Sequence, residues 1–291
     1  MHKSCIYVLS VLMLCGCHGH STAPSSAASA EAAKQDSIQR AKVFANVKPL
    51  DKGVIIDSVQ CVENLSQKYA VYVPYNYSPA KKWPVIYFFD PHGVGNLPLI
   101  VYKNLAEKYG FIIAGTYGSK NGMAWSESEK AANAFMDDLS QRLSIDKDRV
   151  YTFGFSGGAR VACSVALYDG SIAGVAACGG GFPQNAPSIN QSFACILFVG
   201  DRDFNYVELK QLDKQLDATP LPHQLETFHG KHQWPPAPIA ESAFQWFDLC
   251  AMRTATLPKN DSIIKSVEQG FLHEIDKWKN AKNDVQLYFT Y

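Results

Sequence analysis

The chain has 291 residues, 47% hydrophobic and 19% charged, a globular composition large enough for one α/β domain with an appendage. Its 27 basic residues balance 27 acidic ones, so the formal net charge is zero. With no long basic stripe, the chain lacks the electrostatic footprint of a nucleic-acid binder, and no nucleic-acid partner is expected.

The first twenty residues, MHKSCIYVLSVLMLCGCHGH, place Lys3 before a short apolar core from Ile6 to Leu14 and then small residues. That is the layout of a secretion signal, too short to span a membrane as a helix. Its end, LCGC, resembles a bacterial lipobox, with Leu14 and Gly16 in place before Cys17. The resemblance implies a lipoprotein signal over 1–17 and an acylated Cys17 as mature N-terminus. The protein would then belong to the bacterial cell envelope, at the outer membrane or the periplasmic face, held by its lipid alone. The competing reading is a plain signal peptide cleaved nearby. Residues 18–45 are small and polar and read as a flexible tether. Five cysteines lie beyond it, with no CxxC spacing. Cys163, Cys178 and Cys195 fall in apolar segments and read as packed thiols, which leaves room for one bridge through Cys61 or Cys250.

From residue 46 a strand–helix alternation begins. KYAVYVP (68–74) alternates like an edge strand, and PVIYFFD (84–90) is a continuous apolar run suited to a strand buried on both faces. LPLIVYKNLAEKYG (97–110) reads as a helix stopped by glycine, and FIIAGTYG (111–118) as another buried strand. The stretch 128–144 is an amphipathic helix with Ala132, Phe135, Met136, Leu139 and Leu143 on one face. RVYTFGF (149–155) is a strand and GARVACSVALY (158–168) a helix. Three further strands follow in IAGVAACGG, FACILFVGD and HQLETFHG, with a helix near 207–216 between the last two. The alternation predicts an α/β fold over 46–256, a mostly parallel sheet with helices on both faces. From about Leu257 the strand rhythm stops, and 257–291 reads as a small helical appendage. The chain ends mid-pattern in VQLYFTY, as if the natural protein continued.

Between the strand at 149–155 and its helix stands GFSGG. It lacks the Gly-Lys-Ser/Thr of a phosphate-binding P-loop and the three glycines of a dinucleotide fingerprint, but matches Gly-x-Ser-x-Gly at Gly154, Ser156 and Gly158. In that motif the serine sits in a strained strand-to-helix turn, and the glycines leave room for the chains to pass. A nucleophilic serine needs a base, a carboxylate to orient it and donors for the oxyanion. On this topology the order is Ser, then an acid after a later strand, then His after the last strand.

ILFVGDRD offers Asp201 and Asp203, either of which could merely cap the following helix. Asp203 lies further into the loop and is preferred. After HQLETFHG comes KHQWPP. His229 is still on the strand and His223 is at its wrong end, whereas His232 lies in a loop that Trp234 and Pro235 stiffen, and is the preferred base. The oxyanion donors should be the amide of Gly157 and one from the DPHGVG loop, at His92 or Gly93; a plain glycine turn is the alternative for that loop. Trp125 and Trp234 are candidates to line the substrate pocket, although aromatic residues more often serve the core.

GFSGGA, GDRD and GKHQWP, in that order, resemble the α/β-hydrolase superfamily, and within it the polyhydroxybutyrate depolymerase, feruloyl esterase and dienelactone-hydrolase-like group. The resemblance spans roughly residues 68–249. It implies a Ser156–His232–Asp203 triad, no cofactor or metal, and a small-molecule or glycan-linked ester as substrate. HGVG departs from the HGGG of lipases, which leaves the second oxyanion donor open, and no lid-like insertion separates the strands. The leading expectation is a carboxylic ester hydrolase working through an acyl-enzyme. A serine peptidase of the same fold and a non-catalytic ligand-binding surface lipoprotein are the alternatives.

Overall fold

A computed structural model describes residues 26–183, 189 and 192–280. Cys17 and its signal, and the terminal VQLYFTY, lie outside the described residues. The chain divides into two units, Met1–Asn46 and Val47–Tyr291.

In the first unit, helix α1 (Ser26–Phe44) occupies most of the stretch expected to be a flexible tether. Its Ala, Glu, Lys and Gln residues are strong helix formers, and their propensity outweighs the small, polar character that suggests a linker.

The second unit is an eight-stranded sheet in the order β1-β2-β4-β3-β5-β6-β7-β8. In chain order its elements are β1 (Ile55–Gln60), β2 (Lys68–Tyr72), β3 (Trp83–Phe89), α2 (Leu97–Tyr109), β4 (Ile112–Thr116), α3 (Trp125–Arg142), β5 (Ile145–Phe155), α4 (Gly157–Tyr168), β6 (Gly174–Cys178), β7 (Ala194–Gly200), α5 (Tyr206–Leu216), β8 (His223–Phe228), α6 (Ala237–Arg253) and α7 (Asp261–Asn280). Strand β2 runs antiparallel to both neighbours, and from β4 to β8 every pairing is parallel. The mostly parallel sheet and the C-terminal helix match expectation. One strand does not: β2 alternates like an edge strand, but β1 lies outside it. The β1 segment is largely solvent-facing and its pairing slips between Ile56 and Val59, so no clean alternation marks it in the sequence.

Alternation along the strands sorts the core into two clusters. Val85, Tyr87 and Phe89 of β3 face Phe135 and Leu139 of α3 and Ala159 and Ala162 of α4. Ile86 and Phe88 face Leu99 and Tyr102 of α2 and Phe244 and Phe247 of α6. All four of the predicted α3 positions within the helix are buried, as is Leu143 just past its end. Helix α2 stops at Gly110 as expected, where φ is 70°. The second cluster is an aromatic stack in which Phe153 lies between Tyr102, with ring centroids 5.7 Å apart, and Phe198, also at 5.7 Å. Each such buried ring contributes about 1.5–3 kcal/mol of apolar burial. The five cysteines beyond the N-terminal segment are all free thiols, so neither Cys61 nor Cys250 forms the bridge allowed for above. Burial pushes the Cys61 thiol up to about 12 and the Cys250 thiol up to about 11, which keeps both in the unreactive protonated form.

Parallel pairing from β3 to β8 brings the loops after β3, β5, β6, β7 and β8 to one edge of the sheet. Ser156, the GDRD turn and the KHQWPP loop all belong to that edge, where open α/β sheets place their sites.

Candidate active site

Ser156 is the hinge between β5 and α4, with φ 54° and ψ −120°. A non-glycine residue held there costs about 1–3 kcal/mol. The surroundings enforce the turn. A side chain on Gly154 would collide with the Gly158 carbonyl, and one on Gly158 with the carbonyl of Phe89. The Ser156 amide donates to the Cys178 carbonyl at 2.7 Å, tying the turn to β6.

Ser156 Oγ lies 2.8 Å from Nε2 of His232, and Nδ1 of His232 lies 2.9 Å from both carboxylate oxygens of Asp203. An ionised carboxylate can only accept, so Nδ1 carries the proton and Nε2 accepts from the serine hydroxyl. The Asp203 side chain is fully buried and that of His232 is 19% exposed. Asp203 Oδ1 also accepts from the Asn205 amide at 2.8 Å, which fixes the carboxylate plane. The separations expected between Asp203, His232 and Ser156 are therefore present.

Asp201 and His229 form a second pair, Oδ2 to Nδ1 at 2.9 Å, with the His229 side chain 80% exposed. It braces the turn: Asp201 Oδ1 accepts from the Gly230 amide at 3.0 Å, and the Arg202 amide donates to the Gly230 carbonyl at 2.9 Å. The Gly230 amide, and then His229, hold the Asp201 carboxyl below its ordinary range. His223, at the start of β8, interacts instead with the Leu221 carbonyl, Asp213 and Asp217.

Two groups of expected site residues take other roles. The His92 amide donates to Asp90 Oδ1 at 2.9 Å and the Gly93 amide to the Asp90 carbonyl at 3.1 Å. Both loop amides considered for the oxyanion hole are thus already bonded to Asp90, whose side chain curls the loop back on itself. The Gly157 amide is different: as the first residue of α4 it has no acceptor within the helix. Trp234 is a strut rather than a pocket wall. Its ring meets Phe88, Tyr102, Phe153 and Phe155, and its N–H donates to Asp90 Oδ2 at 3.0 Å. Together with the Tyr102 hydroxyl donating to the Pro235 carbonyl at 2.7 Å, it clamps the loop that carries His232. Trp125 packs on Tyr168, the last residue of α4, whose Cα lies about 16 Å along the helix axis from that of Gly157.

Gly179 and Phe204 also meet the site, without a motif to mark them in the sequence. Gly179 has φ 59°, and a Cβ there would stand 3.0 Å from both Asp203 Oδ2 and His232 Nδ1. Only glycine lets the acid and base settle against the end of β6, and the glycine triplet 179–181 was its sole signal. Phe204, 77% exposed, places its ring centroid 4.1 Å from that of His232. Nothing in a single exposed aromatic distinguishes it in a sequence. Among the described residues no cluster of His, Cys, Asp and Glu is arranged to hold a metal.

No protein-family model matches the chain, and no curated protein does. Solved structures do. An S-formylglutathione hydrolase from Staphylococcus aureus aligns at a TM-score of 0.54 and 15% identity, over 69% of this chain and 99% of its own. Esterase B from Lactobacillus rhamnosis aligns at 0.57 and 14% identity, over 80% and 99%. A feruloyl esterase module from Clostridium thermocellum, complexed with sinapinate, aligns at 0.52 and 14% identity, over 69% and 88%. At such identities the likeness speaks for architecture, and together with the strand order and the serine turn it leads to one conclusion: the chain has the α/β-hydrolase fold.

Proposed function

We propose that the protein is a serine hydrolase of carboxylic esters. The observation that carries this reading is the unbroken line from Ser156 Oγ through His232 to buried Asp203. Ser156 adds to the acyl carbonyl while His232 Nε2 takes its proton. Asp203 holds the imidazole in the required tautomer and stabilises the imidazolium, and the Gly157 amide donates to the oxyanion. His232 then returns the proton to the departing alcohol, and water releases the acyl group by the same route. The esterases among the structural relatives support an ester substrate. Labelling with a fluorophosphonate should modify Ser156 stoichiometrically, as peptide mass spectrometry would show. A screen of aryl esters, acetylated sugars and feruloyl sugars beside amide analogues should return turnover on esters; amide-only turnover would make it a peptidase, and no labelling at all would remove the enzyme reading.

Phe204 caps the open side of His232, where an acyl or alcohol group would lie. Phe204→Ala should lower kcat/KM on aryl esters about three- to tenfold, in line with the loss of one aromatic contact. Its melting temperature should not change, since the ring is exposed. An unchanged kcat/KM would take Phe204 out of the site.

We also propose that Cys17 carries lipid and anchors the enzyme to the cell envelope, a reading supported by LCGC after the apolar segment. Mass spectrometry of membrane-extracted protein should find an acylated N-terminal cysteine at position 17. A mature chain beginning elsewhere in the soluble fraction would refute it.

A further inference from the structure

With His92 and Gly93 bonded to Asp90, one oxyanion donor remains from the backbone, and a second stands beside it. Asn121 lies in the loop after β4. Its amide donates to the Pro91 carbonyl at 2.8 Å, which fixes this loop against the one following β3. Its carboxamide occupies the space a Gly157 side chain would fill: a Cβ built there would collide with Asn121 Oδ1 and lie 3.4 Å from Nδ2. Asn121 is exposed, and its carboxamide has no hydrogen-bond partner among the described residues. Rotation about the last side-chain torsion exchanges Oδ1 and Nδ2, and with neither atom otherwise bonded that exchange breaks no hydrogen bond.

We infer that Asn121 is a catalytic residue, its Nδ2 donating to the oxyanion alongside the Gly157 amide. The inference rests on the serine-esterase reading and supplies the donor which that reading lacks. As Ser156 Oγ bonds to the acyl carbon, the carbonyl π pair moves onto oxygen and the serine proton onto His232. The oxyanion then accepts from Gly157 N–H and Asn121 Nδ2–H. On collapse the pair reforms the carbonyl, and the C–O bond to the leaving group breaks as that oxygen takes the proton from His232. A neutral donor beside the nucleophile turn serves the charged intermediate more than the neutral ester, so its effect belongs to kcat. The position also couples the two residues: a methyl group on residue 157 would displace the carboxamide.

The test compares wild type with Asn121→Ala, Asn121→Asp and Gly157→Ala on an aryl acetate, after fluorophosphonate labelling of Ser156 in the wild type. Asn121→Ala should lose about 10²–10³ in kcat with KM nearly unchanged. Asn121→Asp, of the same shape, should be slower still, because a carboxylate has no donor and repels the oxyanion. Affinity for an aryl boronic acid should fall in step with kcat. Gly157→Ala should reproduce the loss in kcat, and adding Asn121→Ala to it should cost little more, since both remove one interaction. If the Ala variant fails to fold, the isosteric Asp variant carries the test. Wild-type kcat in the Ala variant, or an Asp variant faster than Ala, would overturn the assignment to Asn121. Failure of the wild type to label would instead overturn the serine-hydrolase reading beneath it.

Discussion

Ser156→Ala should abolish ester turnover, with a loss on the order of a millionfold in kcat, while leaving the fold intact. On the proposed mechanism the nucleophile has no substitute in the site, because His232 and Asp203 act through the serine oxygen. Structurally the change is small: one hydroxyl leaves, and with it a single hydrogen bond to His232 worth about 0.5–1.5 kcal/mol. The backbone makes a separate prediction. Ser156 holds φ 54°, and Ala inherits that strain whereas Gly does not. Ser156→Gly should therefore be as inactive as the Ala variant yet melt at a higher temperature. Differential scanning calorimetry beside a turnover assay reads both effects. Ester hydrolysis near the wild-type rate by either variant would sink the mechanism, and a Gly variant less stable than Ala would sink the claim of a strained turn.

Asp203→Asn should cost up to about ten-thousandfold in kcat with little change in stability. The environment decides which way the new amide points. The Asn205 amide donates to Oδ1 of Asp203, so in the variant the carboxamide oxygen would keep that contact and its nitrogen would take the place of Oδ2, setting a donor 2.9 Å from His232 Nδ1 where the wild type has only acceptors. A donor facing Nδ1 favours the imidazole with its proton on Nε2, which can no longer accept from Ser156. Asp201→Asn should cost less than about tenfold in kcat, because the Asp201 side chain meets the exposed His229, the exposed Arg202 and the Gly230 amide, and exposed pairs of this kind contribute little. Steady-state kinetics of the two variants at one pH suffice as the check. The reverse order of damage would show that the acid had been assigned to the wrong aspartate.

Much of this site is legible before any fold is drawn. GFSGG after an apolar run announces a tight strand-to-helix turn, because only glycine at 154 and 158 lets the chains pass. The apolar runs of β3, β4, β6 and β7 announce a sheet buried on both faces, since periodicity records burial locally. The chain order of Ser156, Asp203 and His232 follows from topology, and the choice of Asp203 over Asp201 from its distance beyond the strand end.

Other features depend on residues distant in the chain meeting at one edge of the sheet. Asp90 and Trp234 are 144 residues apart, and their hydrogen bond is part of what turns Trp234 from a pocket candidate into a strut. Whether an amide is free to hold an oxyanion depends on what its own loop already offers it; Asp90 takes those of His92 and Gly93. Gly179 matters because Asp203 and His232 settle against it, and Asn121 because its loop folds onto Gly157. Strand β1 escaped notice because a half-exposed, bulged strand has no period to detect. Sequence pattern thus determined the parallel part of the sheet, the serine turn and the chain order of Ser156, Asp203 and His232, all of which are written in local burial and backbone preference. The allocation of hydrogen-bond donors around that serine arose only in three dimensions, because a donor's availability is set by whichever acceptor the folded chain brings nearest.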